Sequence, residues 1–200
     1  MKKIMFNDKY GLTKAVLEGR KTMTRRVVPE KLLEAYYDYD DYVNAVAPHD
    51  IPCSREYEEE FFLRRSCFKV GEVVAVAQSY HSLNKMGFVA PEWCEHTCED
   101  SPGYNNKMFV RADLMPYQIR ITNVRVERLK DISDEDCIRE GILEDCPGVQ
   151  YSFPTEIGYC CQYPFSTPRE AFAALIDKIS GKGTWKSNPW VFVYEFELVK

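Results

Sequence analysis

The sequence predicts an α+β fold in one domain over residues 1–200: a mostly antiparallel β-sheet, helices flanking it, and two inserted segments. Three observations carry this expectation. Short apolar or alternating runs recur along the chain, and two later segments carry complete helix start and stop signals. Two long stretches, about 30–66 and 79–107, show no clean strand alternation and read as insertions. With 45% hydrophobic and 14% aromatic residues, a chain of 200 residues can bury one sizeable core.

Taken in order, "DKYGLTKAVLEG" places Leu12, Ala15 and Val16 at helical spacing and stops at Gly19. The β-branched run that follows makes Lys21 to Val28 an extended strand. In such a strand Arg20, Thr22 and Thr24 share one face and Lys21, Met23 and Arg25 the other, unless a turn near Lys21 re-aims it toward Thr24. Residues 30–66 ("YYDYDDY", "REYEEEFF") combine a helix with irregular chain, and Tyr36, Tyr37, Tyr39 and Tyr42 cover a small core of that insertion. Val73 to Ala77 is wholly apolar, the pattern of a strand buried on both faces. Residues 79–107, rich in Gly, Pro, Asn and Cys, read as a loop.

Beyond it the β pattern predicts strands over Met108 to Leu114 and Gln118 to Arg128, the second alternating apolar and polar residues so that one face is wet. "ISDEDCIREG" makes a short helix with Ser133 as N-cap, an Ile132–Cys137 staple and a Gly141 stop. Glu140 falls in its last turn, where the helix dipole favours a cation by a few tenths to about 1 kcal/mol, so a carboxylate there is electrically misplaced. "TPRE" opens a longer helix with Thr167 as N-cap, Pro168 at its first position and Glu170 completing the capping box; it runs through Ala171, Phe172, Leu175, Ile176 and Ile179 to Gly181. Trp190 to Leu198 closes the chain as a strand with Trp190, Phe192, Tyr194 and Phe196 on one face, a stripe that suits a core.

The formal charge is −5, from 26 basic and 31 acidic residues. Setting aside Arg20, Lys21, Arg25 and Arg26 leaves 22 against 31, or −9, so the cations of "GRKTMTRR" form a local feature in an acidic chain. No apolar run approaches the roughly 18 residues of a membrane span and the start lacks a signal-peptide core, which predicts a cytoplasmic protein with no membrane partner. Eight cysteines in that setting are expected to be reduced thiols. Cys94, His96 and Cys98, with Cys53, Cys67 and His81 as further candidates, do not complete the two-pair spacing of a structural zinc site, so no metal and no cofactor are expected.

GxGxxG, P-loop, HExxH and GxSxG signatures are all missing from the sequence. What does stand out is a set of four blocks: "LEGRKTMTRR" at a helix end, "VGEVVAV", a β-run into "LKDISDEDCIREGI", and a terminal "NPWVFVYEFE". Together, over about half of the chain, they resemble the ASCH group of PUA-like domains. "GRKTMTRR" matches that family's GxKTxTxR element, whereas "VAVAQSY" stands where many relatives carry an Arg-Glu pair.

The resemblance implies a PUA-like β-barrel that binds RNA or a modified nucleoside. One small member of the family removes the acetyl group of N4-acetylcytidine, and its catalytic Lys, Thr and Glu fall by motif on Lys21, Thr24 and Glu140, with Arg20, Thr22, Arg25 and Arg26 as substrate-binding candidates. Amide hydrolysis needs a nucleophile, a base and donors for the oxyanion and the leaving amine. Thr24 can attack, Lys21 can serve as base if a dry pocket and the neighbouring Arg20 and Arg25 lower its pKa, and Glu140 can orient Lys21 or shuttle the proton, while Arg25 or Arg26 steadies a negative substrate group. Two other readings stand beside this: a non-catalytic RNA- or nucleoside-binding module, and an interaction protein of a phage or mobile element. Four local cations flanked by acidic inserted sequence suit a small nucleoside-like ligand better than long RNA, which requires several phosphate contacts.

Overall fold

The longest apolar strand signal, Trp190–Leu198, becomes the strand around which the computed structural model is organised; that structure describes residues 1–46, 55–88, 99–154 and 165–199. The elements in chain order are β1 (Lys3–Ile4), α1 (Leu12–Leu17), β2 (Met23–Val27), α2 (Glu30–Val46), α3 (Arg55–Arg64), β3 (Val73–Val76), α4 (Tyr80–Lys85), β4 (Gln118–Arg128), α5 (Asp134–Arg139), β5 (Leu143–Cys146), β6 (Gln150–Ser152), α6 (Pro168–Ser180), α7 (Thr184–Ser187) and β7 (Trp190–Leu198). β7 pairs antiparallel with β4 on one side and β2 on the other, and every residue from Trp190 to Tyr194 is buried. A strand so placed, covered on both faces, has no use for alternation, which explains its nearly unbroken apolar run.

The main sheet has the order β1-β3-β4-β7-β2 and is antiparallel except where β1 pairs with β3 in parallel. It is not closed into a barrel. β1 contributes two residues and β2 five, and among the described residues each is an edge with a single partner, so the described sheet ends open at β2. β5 and β6 form a separate two-stranded hairpin in the stretch between the helix at "SDEDCIR" and Thr167 that the sequence left unassigned.

The predicted strand over Met108 to Leu114 is instead two short 3₁₀ turns, Lys107–Phe109 and Ala112–Leu114. Both edges of β3 are already taken by β1 and β4, so this segment has no ladder to join. Side chains satisfy its backbone: Asn106 caps the Met108 amide at 2.9 Å, the Tyr80 hydroxyl accepts from the Arg111 amide at 2.9 Å, and Lys3 Nζ donates to the Met108 and Val110 carbonyls at 2.6 Å each. Among its described residues the insertion at 30–66 holds two helices, α2 and α3, with Tyr36, Phe61 and Phe62 buried between helix and sheet and the Phe62 ring tilted against Trp190 at 6.0 Å; Tyr37, Tyr39 and Tyr42 are exposed. The 79–107 segment contains α4, capped by Ser79. The Ser133 and Thr167 caps form as expected, accepting from the Asp136 and Glu170 amides at 3.1 Å.

Ile121, fully buried opposite Phe196 in the sheet's central pair, reports on core packing. Ile121→Ala is expected to cost about 2–5 kcal/mol in urea unfolding with the m-value unchanged, whereas Tyr42→Ala, at an exposed site, should stay within about 0.5 kcal/mol of wild type.

Candidate functional site

A left-handed glycine decides where the basic motif points. After α1 the chain turns at Gly19 (φ 72°), and the amides of Arg20 and Lys21 both donate to the Ala15 carbonyl at 2.9 Å. The turn takes Lys21 out of the strand before β2 begins, so its side chain does not follow the pleat. The Thr22 amide then donates to the Arg139 carbonyl at 3.0 Å, tying the start of β2 to the end of α5.

Glu140 is the C-cap of α5. Lys21 Nζ donates to its carboxylate Oε2 at 2.6 Å and to its backbone carbonyl at 2.7 Å. One buried ammonium therefore satisfies both the misplaced carboxylate and one of the carbonyls a helix end leaves without a partner. The two side chains are 1% and 5% exposed. Burial holds Lys21 below its ordinary pKa; Glu140 works against that shift, and Arg26 and Arg25 reinforce it.

Arg25 completes the core of the arrangement. Its Nη1 donates to Glu140 Oε1 at 3.2 Å, its Nη2 to Glu127 Oε1 at 2.6 Å and to Asp136 Oδ2 at 2.9 Å. Burial disfavours its charge, but Glu140 and Glu127 outweigh that and raise its pKa, so it is a permanent cation. Register explains the meeting: Arg25 on β2 and Arg125 on β4 both lie opposite Val193 of β7, side by side on one face of the sheet. Arg125 pairs with Glu127, Asp136 and Glu195, and Arg139 with Asp136 and Glu195.

Lys21, Thr24, Arg25, Arg26 and Glu140 line one cavity of about 750 Å³ between β2 and α6. Thr24 opposite Tyr194 and Arg26 opposite Phe192 share the other face of β2 from Arg25; because β2 is an edge strand, a single cavity touches both faces. Thr24 is buried, and among the described residues its hydroxyl has no hydrogen-bond partner. The Lys21 ammonium and the Arg26 guanidinium each lie 5.9 Å from the centroid of Phe6. Arg26 donates to the Met5 carbonyl and, among the described residues, is the cavity-lining cation without a carboxylate partner. Lys107, where the second insertion ends, also reaches the cavity and pairs with Asp8 at 2.8 Å.

Two candidates lie elsewhere. Arg20 is a surface residue paired with Glu18 at 2.7 Å, and the Thr22 hydroxyl accepts from Arg139 Nε at 3.3 Å; neither lines the cavity. Conversely, Glu127, Asp136, Arg125, Arg139 and Glu195 were not singled out by sequence. The i, i+2 pair Arg125 and Glu127 in "NVRVERL" was the available signal, since those positions share a face.

Of the metal candidates, Cys53, Cys94, His96 and Cys98 lie outside the described residues, Cys67 is exposed, and His81 Nδ1 is 3.1 Å from the Tyr104 hydroxyl. Among the described residues no three His, Cys, Asp or Glu side chains group to hold a metal ion. Burial pushes the Cys137 thiol up to about 12, which keeps it protonated and a poor nucleophile near neutral pH. No helix among the described residues is long and apolar enough to cross a membrane. No protein-family model, curated protein or solved structure matches the chain.

Arg25→Ala is expected to cost about 3–5 kcal/mol in unfolding free energy, because it removes the buried cation that Glu140, Glu127 and Asp136 share and leaves each with one fewer partner, while Arg20→Ala should cost less than about 1 kcal/mol. A pH series tests Lys21. Its folded pKa lies below the unfolded value of about 10.4, so the unfolded chain binds the extra proton between the two and stability from this group rises with pH across that window, to be lost as pH falls through the folded pKa. The stability of wild type relative to Lys21→Met should therefore climb as pH rises toward about 10; a flat difference would show that the lysine is not perturbed.

Proposed function

We propose that this chain is an amide hydrolase of the ASCH, PUA-like kind that acts in the cytoplasm on a modified nucleoside such as an N4-acylcytidine, using Thr24, Lys21 and Glu140 without a metal. The observation that carries the reading is the buried 2.6 Å contact between Lys21 and Glu140 on the same cavity as Thr24. A lysine with a lowered pKa is a competent base, and a carboxylate fixing its amine removes the rotamer freedom that would blur its aim.

In this mechanism Thr24 Oγ attacks the amide carbonyl carbon while its proton passes to the neutral Lys21 amine, and the carbonyl π pair moves onto oxygen. Arg26 and the fixed charge of Arg25 face the developing oxyanion. Collapse breaks the C–N bond, with the proton on Lys21 passing to the departing nitrogen. Water then attacks the Thr24 ester, Lys21 takes its proton and returns it to Thr24, and the carboxylic acid leaves. Glu140 holds Lys21 in place throughout.

A module that only binds RNA is less well supported. Phosphate recognition draws on exposed cations, yet Lys21 and Arg25 are almost wholly buried and spent on internal carboxylates, which leaves Arg26 as the cavity's cation without a carboxylate partner among the described residues.

Thr24→Ala should abolish turnover of N4-acylcytidines while leaving ligand affinity within a few-fold, since it removes transition-state stabilisation. Lys21→Met should also abolish turnover, and Arg26→Ala should raise KM more than it lowers kcat. Ligand binding by wild type with no hydrolysis of any amide in the panel would replace the enzyme with a binding module.

A further inference from the structure

The deep end and the mouth of the cavity carry different polar groups. Lys21 and Thr24 are buried, whereas the Asp8 side chain, on the same lining, is 58% exposed, and its neighbour Asn7 is half-buried. The segment Met5 to Asp8 joins the two ends. Its Met5 carbonyl accepts from Arg26, and its Phe6 ring centroid lies 5.9 Å from both the Lys21 ammonium and the Arg26 guanidinium, so Asn7 and Asp8 follow directly on residues that flank the proposed reactive groups.

This wall is fixed in place. The Leu12 amide donates to the Asn7 carbonyl at 3.0 Å and the Gly11 amide to the Asp8 carbonyl at 2.9 Å, which anchors the backbone on the start of α1. The Asp8 carboxylate is oriented through one oxygen: Lys107 Nζ reaches Oδ1 at 2.8 Å, and Thr13 Oγ1 donates to the same atom. Lys107 also donates to the Phe6 carbonyl. Among the described residues Asp8 Oδ2 and the Asn7 carboxamide have no hydrogen-bond partner. Two adjacent residues thus present a bare carboxylate oxygen and, beside it, a carboxamide that both donates and accepts.

Ring chemistry decides which part of a nucleoside meets them. In cytosine the exocyclic N4 and the glycosidic N1 stand on opposite sides of the ring, so an N4-acyl carbonyl at the buried Thr24 turns the sugar outward to the mouth. An acidic side chain is the ordinary acceptor for a ribose hydroxyl at nucleotide sites. A carboxamide next to it can bond the neighbouring hydroxyl in either sense. A vicinal diol satisfies both groups, whereas a 3′-phosphodiester removes one donor and sets a negative charge against Asp8.

We propose that Asn7 and Asp8 form a diol-recognition site for the substrate's ribose, which makes the substrate a free ribonucleoside with unesterified 2′ and 3′ hydroxyls rather than a deoxynucleoside or an internal residue of a nucleic-acid strand. The inference rests on the amide-hydrolase reading of the cavity and deepens it. Asp8 Oδ2 accepts from one hydroxyl, the Asn7 carboxamide pairs with the other, and Lys107 and Thr13 keep the carboxylate aimed. Neither residue touches the reacting amide, so both act on binding and not on the chemical step.

The test measures kcat/KM of the full chain on N4-acetylcytidine and on its 2′-deoxy and 3′-deoxy analogues. Wild type should lose about tenfold for each hydroxyl removed, the effect of one well-placed hydrogen bond, carried mostly by KM. Asp8→Ala should erase one of the two penalties and Asn7→Ala the other: each weakens N4-acetylcytidine about tenfold, while the analogue lacking the matching hydroxyl changes less than about twofold. Variants that keep their melting temperature and lower all three substrates in parallel overturn the assignment, because the preference for the diol then resides elsewhere. Wild type indifferent to both hydroxyls overturns it as well while sustaining the hydrolase. Should no amide be cleaved, the hydrolase reading fails and calorimetry with the same three compounds decides the site by itself: affinity that falls about tenfold without either hydroxyl keeps it, and affinity that is absent or indifferent to the sugar removes it.

Discussion

A lysine buried at the end of a helix, against a glutamate that has no other reason to be there, is the constraint on which this structure turns. Lys21 and Glu140 are nearly inaccessible to water, and an uncompensated charge in that place would cost several kcal/mol. The cost is offset only because each partner is held from two directions. Gly19 and the doubly used Ala15 carbonyl set the lysine; the C-cap position of α5 and Arg25 set the glutamate. Each partner has its shortest side-chain contact in the other, so the segments that carry them, the α1–β2 turn and α5, are coupled through this contact as well as through the Thr22 to Arg139 backbone bond.

Around that contact the charges form an alternating lattice on one face of the sheet, with Arg25, Arg125 and Arg139 set among Glu127, Asp136, Glu195 and Glu140. Such a lattice cannot adapt easily to a new ligand, because every exchange leaves a buried ion unpaired. It acts instead as a rigid back wall. The face that can change its partners is the cavity side, where, among the described residues, the Thr24 hydroxyl has no hydrogen-bond partner and the Arg26 guanidinium, bonded to the Met5 carbonyl, has no carboxylate partner.

The open edge of the sheet links fold to function. A further strand beyond β2 would have given Thr24 a neighbouring strand and closed the cavity on that side. Leaving β2 as an edge gives one cavity access to both of its faces, which lets side chains of opposite pleat, Thr24 and Arg25, line the same space. Lys107, from the end of the second insertion, pairs with Asp8 at the lining, so that insertion helps to bound the cavity.

Local pattern alone determined the elements that depend on near neighbours in the chain. The Ser133 and Thr167 caps, the Gly19 and Gly141 stops and the strands at Val73, Gln118 and Trp190 follow from hydrogen bonds and periodicities that span a few residues, and the sequence marks them openly. It also marked Glu140 as misplaced for a helix end and the basic motif as a local excess. Tertiary structure decided what lies between distant segments. Met108 to Leu114 looked like a strand, yet β1 and β4 had filled both edges of β3 and side chains had taken up its backbone groups. Arg20 and Lys21 are adjacent cations of one motif, and only the left-handed turn at Gly19 sends one to the surface and buries the other. Glu127, Asp136 and Glu195 gave no individual signal because an ion pair depends on which positions face each other across β7, and register is a property of paired strands, absent from each strand read alone.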